Sequence, residues 1–220
     1  MDGVRGQRIF IVDDHRLVGE SPATVLSGRG FETRAASEIS RDAILAEAHA
    51  FRPSIALLDL QLAHDLEGTS LVDPLTDLDC RVLMMTGVTN PAELGRCLEA
   101  GAEGVISKAQ PFDDLIDQIT AVIAGDRVLP VTRAESLLEE LRRDRAERQL
   151  RLEPFESLTP RENELLTMLS EGRPAAAIAD FWYVSLATVR SLIRSLLSKL
   201  DVHSQLEAVA KAREAGWARD

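Results

Sequence analysis

Five polar residues, each closing a short apolar run, could do chemistry together: Asp13 and Asp14 after IFIV, Asp59 after IALL, Thr86 after VLMM, and Lys108 after GVIS. Three carboxylates brought together repel one another unless a cation intervenes. Oxygen-only donors at that density suit a hard divalent ion such as Mg2+, which keeps several waters and takes one or two protein carboxylates. A carboxylate beside such an ion can accept a phosphoryl group as an acyl phosphate, and Asp59 is the candidate. Lys108 would pair with a phosphoryl oxygen as a point charge, and Thr86 would donate a hydrogen bond to another. Taken singly, each residue reads as an ordinary turn or helix cap. The joint placement carries the argument.

That placement requires a sheet. The runs predict strands at Arg8–Val12, Phe31–Ala35, Ser54–Leu58, Arg81–Met85 and Gly104–Ser107. Unbroken apolar runs such as IFIV and IALL suit strands buried on both faces. Amphipathic stretches near 16–28, 40–51, 67–76, 91–100 and 111–124 predict the intervening helices. Five βα repeats give an α/β fold, a doubly wound five-stranded parallel sheet. Ligands bind such sheets beyond the carboxyl ends of the strands, where the five polar residues fall. Gly101 and Gly125 stand where helices must end.

A charged helix follows. Thr132-x-x-Glu135 has the form of a capping box, and Leu137, Leu138 and Leu141 make a short apolar stripe before RRDRAERQLRLE. The stripe is too short for a coiled coil, so a solvated linker is favoured over a dimerisation helix. Residues 159–216 read as four helices. Thr159-Pro160-x-Glu162 supplies an N-cap, a proline at the first helical position and a capping acid. Gly172 stops that helix and Pro174 opens a short second one. Ser185 caps a third helix that runs to about Leu200, and Ser204-x-x-Glu207 starts a fourth. The resulting organisation is 1–128, an α/β domain; 129–154, a helical linker; and 155–220, a small all-α domain.

The sequence has 220 residues and a net charge of −11. Residues 1–130 hold 21 acidic and 11 basic residues; 131–154 hold six of each; 155–220 hold nine and eight. A near-neutral C-terminal domain is a poor non-specific nucleic-acid binder, so any DNA contact must come from local clustering. No stretch approaches the roughly 18 apolar residues of a membrane span, and MDGVRGQRIF carries no signal-peptide pattern. Cys80 and Cys97 have neither metal nor disulfide spacing and read as buried thiols in a reducing cytosol. His15, His49, His64 and His203 have no companion at metal-ligand spacing. Phosphate-loop, dinucleotide-fingerprint and nucleophile–histidine patterns are absent from the sequence.

Over residues 7–125 the spacing DD…D…T…K resembles the receiver domain of bacterial two-component response regulators, which is flavodoxin-like. The resemblance implies that Asp59 is phosphorylated by a sensor histidine kinase, and that Asp13, Asp14, Asp59 and the Gln61 carbonyl hold Mg2+. Thr86 and Lys108 become the phosphate contacts. The position that carries an aromatic switch residue in that family is Val105. Ala63 stands where the family usually has proline, and Ala109 follows Lys108.

Residues 158–217 resemble the LuxR/NarL-type helix-turn-helix domain through LTPRE (158–162), IA (178–179), VS (184–185), TV (188–189) and SKLDV (198–202). In such a motif the second helix enters the major groove. Its polar candidates for DNA contact are Thr188, Arg190, Ser191, Arg194, Ser195, Ser198 and Lys199. Arg190 and Arg194 are four apart and share a face, so one can reach a guanine edge and the other a phosphate. Several positions depart from the family: Ala175-Ala176-Ala177 before IA, Leu186 and Ala187 before Thr188, Leu192 within the helix, and Asp201 for a common glycine. Fewer cations predict weak non-specific affinity and a shallow salt dependence. Trp182 is expected to pack in the domain core.

The function these features imply is that of a cytoplasmic response regulator, not an enzyme. Phosphorylation of Asp59 would control sequence-specific binding to double-stranded DNA and transcription, with a homodimer as the active form. No membrane and no small-molecule substrate are expected. Two alternatives stand beside it: an atypical regulator whose DNA binding does not depend on phosphorylation, and a protein-interaction module with weak or no DNA binding.

Overall fold

A computed structural model describes residues 6–14, 22–63 and 66–217. His15, His64 and the expected start of the first helix at 16 lie outside the described residues. The chain divides into two compact units, 1–142 and 143–220.

The first unit holds a five-stranded parallel sheet in the order β2-β1-β3-β4-β5. The strands are β1 (Arg8–Val12), β2 (Glu32–Ala35), β3 (Ile55–Asp59), β4 (Arg81–Thr86) and β5 (Gly104–Ser107). The helices between them are α1 (Pro22–Gly28), α2 (Arg41–Phe51), α3 (Val72–Thr76), α4 (Pro91–Glu99) and α5 (Phe112–Ala124). The stretch expected to be one helix over 67–76 is split. A 3-10 turn, Gly68–Leu71, precedes a helix of only five residues.

Alternate strand residues feed two cores. Phe10, Val12, Ala56, Leu58, Val82 and Met84 pack with Ile44, Ala48 and Phe51 of α2 and with Leu71, Val72 and Leu75 around α3. Ile9, Ile11, Ile55, Leu57, Leu83, Met85 and Ile106 pack with Leu26 of α1 and with Leu115, Ile119 and Val122 of α5. Fully burying each of the Val, Leu, Ile, Met and Phe side chains is worth about 1.5–3 kcal/mol, which accounts for apolar runs without alternation.

The charged stretch forms one helix, α6 (Val131–Glu156). It starts before Thr132, with the N–H groups of Arg133 and Ala134 donating to the Pro130 carbonyl, so Thr132 lies inside the helix and does not cap it. Its first turns are not a solvated linker. Leu137 and Leu141 are each 1% exposed. They cross α4 at Gly95, where a Cβ would overlap the Leu137 carbonyl and crowd the Leu141 side chain. A glycine in mid-helix destabilises by about 1 kcal/mol relative to alanine; here it lets two helix backbones meet.

The second unit contains α7 (Pro160–Ser170), α8 (Ala175–Trp182), α9 (Leu186–Lys199) and α10 (Gln205–Glu214). Leu165, Leu166, Ile178, Val189, Ile193, Leu196, Leu200 and Ala208 form its core. The expected caps form at Thr159 and Ser185. Ser204 accepts from the Glu207 N–H, while the Glu207 carboxylate reaches past it to the N–H of His203. Asp201, where the family usually has glycine, has φ +52°, the left-handed conformation that glycine adopts without strain.

Candidate functional site

Asp59 ends β3, the central strand, and is 3% exposed. Parallel pairing of β1 with β3 brings Asp13 and Asp14, just past β1, to the same edge of the sheet. One carboxylate oxygen from each of Asp13, Asp14 and Asp59 can be chosen so that all lie within 4.8 Å of one another. Lys108, just past β5, reaches across. Its ammonium donates to Asp59 Oδ2 at 2.6 Å and lies 2.9 Å from Asp13 Oδ2. Burial alone would push the Lys108 pKa down, but the hydrogen bonds and charges of Asp59 and Asp13 outweigh it, and the net shift is upward. The ammonium stays charged and offsets part of the carboxylate repulsion.

Thr86, at the end of β4, is buried, and its hydroxyl oxygen accepts from the Val88 N–H at 2.9 Å. The Lys108 N–H donates to the Thr86 carbonyl, tying β4 to the lysine. The Gln61 N–H donates to Asp59 Oδ1 at 3.3 Å. Val105 pairs with Met84 across the sheet and is partly buried against the α2–α4 core. An aliphatic side chain there has no hydroxyl or ring edge to exchange with Thr86.

Gly68, which no sequence pattern marks, shapes the site. Its N–H donates to the Leu60 carbonyl at 2.8 Å, and a Cβ at this position would overlap the Asp59 carbonyl. Only glycine lets the loop close on the strand end. The donor set fits a hard divalent cation: three carboxylate oxygens at one edge, no sulfur or imidazole among the described residues there, and an ammonium that balances only part of the charge.

In the second unit the structure sorts the polar residues of α9 into two groups. Lys199 and Ser195, themselves exposed, reach Glu162, which is 2% exposed: Lys199 Nζ and Ser195 Oγ each lie 2.7 Å from its carboxylate, and Lys199 also donates to the Ser157 carbonyl. These two, expected among the DNA contacts, also fasten α9 to the start of α7. Thr188, Arg190, Ser191, Arg194 and Ser198 are exposed as well. The Thr188 hydroxyl is shared with the Ser185 cap at 2.8 Å. Elsewhere in this unit Arg161 stacks over Trp182 and pairs with Glu164, Arg173 pairs with Glu171, and Lys211 donates to the Leu200 carbonyl. Among the described residues of the unit past the linker helix, Arg190, Arg194 and Arg213 are the cations left without an ion pair or side-chain hydrogen bond. Trp182 packs against the core and donates its indole N–H to Glu164 at 3.1 Å.

Among the described residues, no single helix is long and apolar enough to cross a membrane. The chain matches the response regulator receiver domain over residues 9–120 and the bacterial regulatory proteins of the luxR family over residues 156–212. It is similar to the response regulator protein VraR of Staphylococcus aureus, with 29% identity over 207 residues, 93% of this chain and 95% of the relative. It is also similar to the transcriptional regulatory protein DesR of Bacillus subtilis, with 27% identity over 166 residues, 76% of each chain. Its fold resembles that of the RcsB response regulator of Salmonella typhimurium, with a TM-score of 0.51 and 21% identity over 96% of this chain and 99% of the other. The carboxylate edge, the helix-turn-helix and these matches agree: the chain belongs to the response regulators, with a receiver domain followed by a LuxR-type DNA-binding domain.

Proposed function

We propose that Asp59 is the phosphoacceptor, that a sensor histidine kinase supplies the phosphoryl group, and that the modification controls sequence-specific DNA binding and transcription. One observation carries the reading: the buried Asp59 carboxylate lies at the carboxyl edge of the central strand, within reach of Asp13, Asp14 and Lys108. Asp13, Asp14, Asp59 and the Gln61 carbonyl would hold Mg2+, which would neutralise charge on the phosphoryl oxygens. An Asp59 carboxylate oxygen attacks phosphorus, the new O–P bond forms as the donor's N–P bond breaks, and the imidazole leaves with the bonding electrons and takes a proton. Lys108 turns from Asp59 to a phosphoryl oxygen and holds it as a point charge. Thr86 donates its hydroxyl proton to another oxygen while still accepting from Val88.

On the output side, Arg190 and Arg194 meet double-stranded DNA, one at a base edge and the other at a phosphate, with Thr188 and Ser191 beside them. The active form is a homodimer on paired half-sites, working in the cytoplasm. Footprinting on the region upstream of the protein's own gene, with and without Mg2+ and beryllofluoride, tests this together with sedimentation. A protected half-site pair and a dimer appearing only with the phosphoryl mimic are expected. Protection that is identical in both conditions favours the phosphorylation-independent reading, for which the core-packed aliphatic Val105 speaks.

A further inference from the structure

At the end of the sheet opposite Asp59 lies a cavity of about 420 Å3. It is framed by the amino end of β1, the approaches to β3 and β4, and the carboxyl end of α2. Arg8, His49 and Arg52 line it, with Asp79 as its one carboxylate and Pro53 and Leu78 as its apolar wall. Two observations set this place apart.

The first is charge. Residues 1–130 carry 21 acidic side chains against 11 basic ones. Yet among the described residues neither the Arg8 nor the Arg52 guanidinium makes an ion pair or a side-chain hydrogen bond. Arg29 pairs with Asp113, Arg34 lies over the Phe51 ring, Arg41 donates to the Ser70 carbonyl and Arg81 to the Val122 carbonyl, while Arg96, Arg127, Arg133 and Arg142 are, like Arg8 and Arg52, without an ion pair or side-chain hydrogen bond among the described residues. What sets the cavity apart is that two such guanidinium-bearing residues line it together, with His49, in an acidic domain.

The second is backbone strain. Arg52 has φ +51° and Asp79 has φ +58°, and among the described residues of the first unit they are the two non-glycine residues in the left-handed region. Arg52 is the C-cap of α2, a position where glycine avoids roughly 1 kcal/mol of steric cost. Both strained side chains line the same cavity. Strain of this kind gathers where a side chain is needed for what it binds.

We propose that this cavity binds a phosphorylated small molecule of nucleotide size. The volume falls within the range of roughly 300–1,000 Å3 that holds small ligands. The phosphate sits between Arg8 and Arg52, whose planar guanidiniums match its oxygens in pairs. The flat body lies against Pro53 and Leu78, and Asp79 accepts a hydrogen bond from a ligand hydroxyl. The site is separate from the phosphoacceptor, lying at the other ends of the strands.

Arg52 and His49 would also complement the negative end of α2 without any ligand, and the test separates that role from binding. The full-length protein is titrated calorimetrically with adenosine monophosphate, adenosine and inorganic phosphate. Saturable binding is expected for the nucleotide, with inorganic phosphate weaker by about tenfold or more and no heat from adenosine. Arg8→Gln and Arg52→Gly should each weaken nucleotide binding by about tenfold or more. Arg52→Gly should also keep or raise the melting temperature, because it relieves the left-handed strain. Absence of saturable nucleotide binding, equal affinity for inorganic phosphate, or undiminished binding in both variants would overturn the proposal.

Discussion

The ammonium of Lys199, at the end of α9, lies 2.7 Å from the carboxylate of Glu162 in the third position of α7. Glu162 also accepts from Ser195 and from the N–H and hydroxyl of Thr159. Burial by itself would raise its pKa, but the Lys199 hydrogen bond and those from Thr159 and Ser195 bring it down from 4.5 to about 2. A lowered carboxylate pKa stabilises the fold above the unfolded value and is lost as pH falls through the folded one. The C-terminal domain is therefore expected to lose on the order of 2–3 kcal/mol as pH drops from about 4.5 to about 2. Glu162→Gln should remove that pH dependence and destabilise the domain, read by urea unfolding across this pH window. An unchanged pH profile would show that the pair does not hold α9.

DNA titrations across a salt series divide the cations of α9. Arg190→Ala and Arg194→Ala should each reduce the magnitude of the log affinity–log salt slope by about 1. Lys199→Ala should leave that slope alone and lower the melting temperature, since its ammonium is spent on Glu162 and the Ser157 carbonyl. A slope change in Lys199→Ala would return that residue to the DNA surface.

Gly95→Ala is expected to destabilise the receiver unit although alanine is the better helix former. The propensity gain is about 1 kcal/mol, while forcing a methyl against the α6 backbone costs about 1–3 kcal/mol. Urea denaturation of the variant should show a lower midpoint. A midpoint at or above that of the wild type would mean α6 does not press on α4 at Leu137.

Cys80 and Cys97 are 1% and 0% exposed. Burial pushes the Cys80 thiol up to about 12 and, as the largest effect, the Cys97 thiol up to about 11. The thiolate is the reactive form, so both should resist a disulfide reagent at pH 8 in the native protein and react fully in urea. Rapid native labelling of either would contradict their burial.

The receiver was legible because its signals are local and repeated. Apolar runs mark the strands, and each strand's final residues name the carboxylates, hydroxyl and ammonium at the sheet edge. The features that escaped are long-range. Glu162 announced itself only as a capping acid; its pairing with Lys199, 37 positions later, depends on how α9 lies across α7. Gly95 and Gly68 looked like any glycines until the backbones they admit were in place. Leu137 and Leu141 made too short a stripe for a coiled coil, yet that stripe suffices for one crossing on α4. Val105 was readable as a departure, and its packing explains why an aliphatic residue can stand there.

The central claim, that Asp59 takes the phosphoryl group, is tested most directly by intact-mass measurement after incubation with Mg2+ and acetyl phosphate. The wild-type protein is expected to gain the mass of one phosphoryl group and Asp59→Asn none. A wild-type protein that stays unmodified, or an Asp59→Asn variant that carries the same added group, would contradict it.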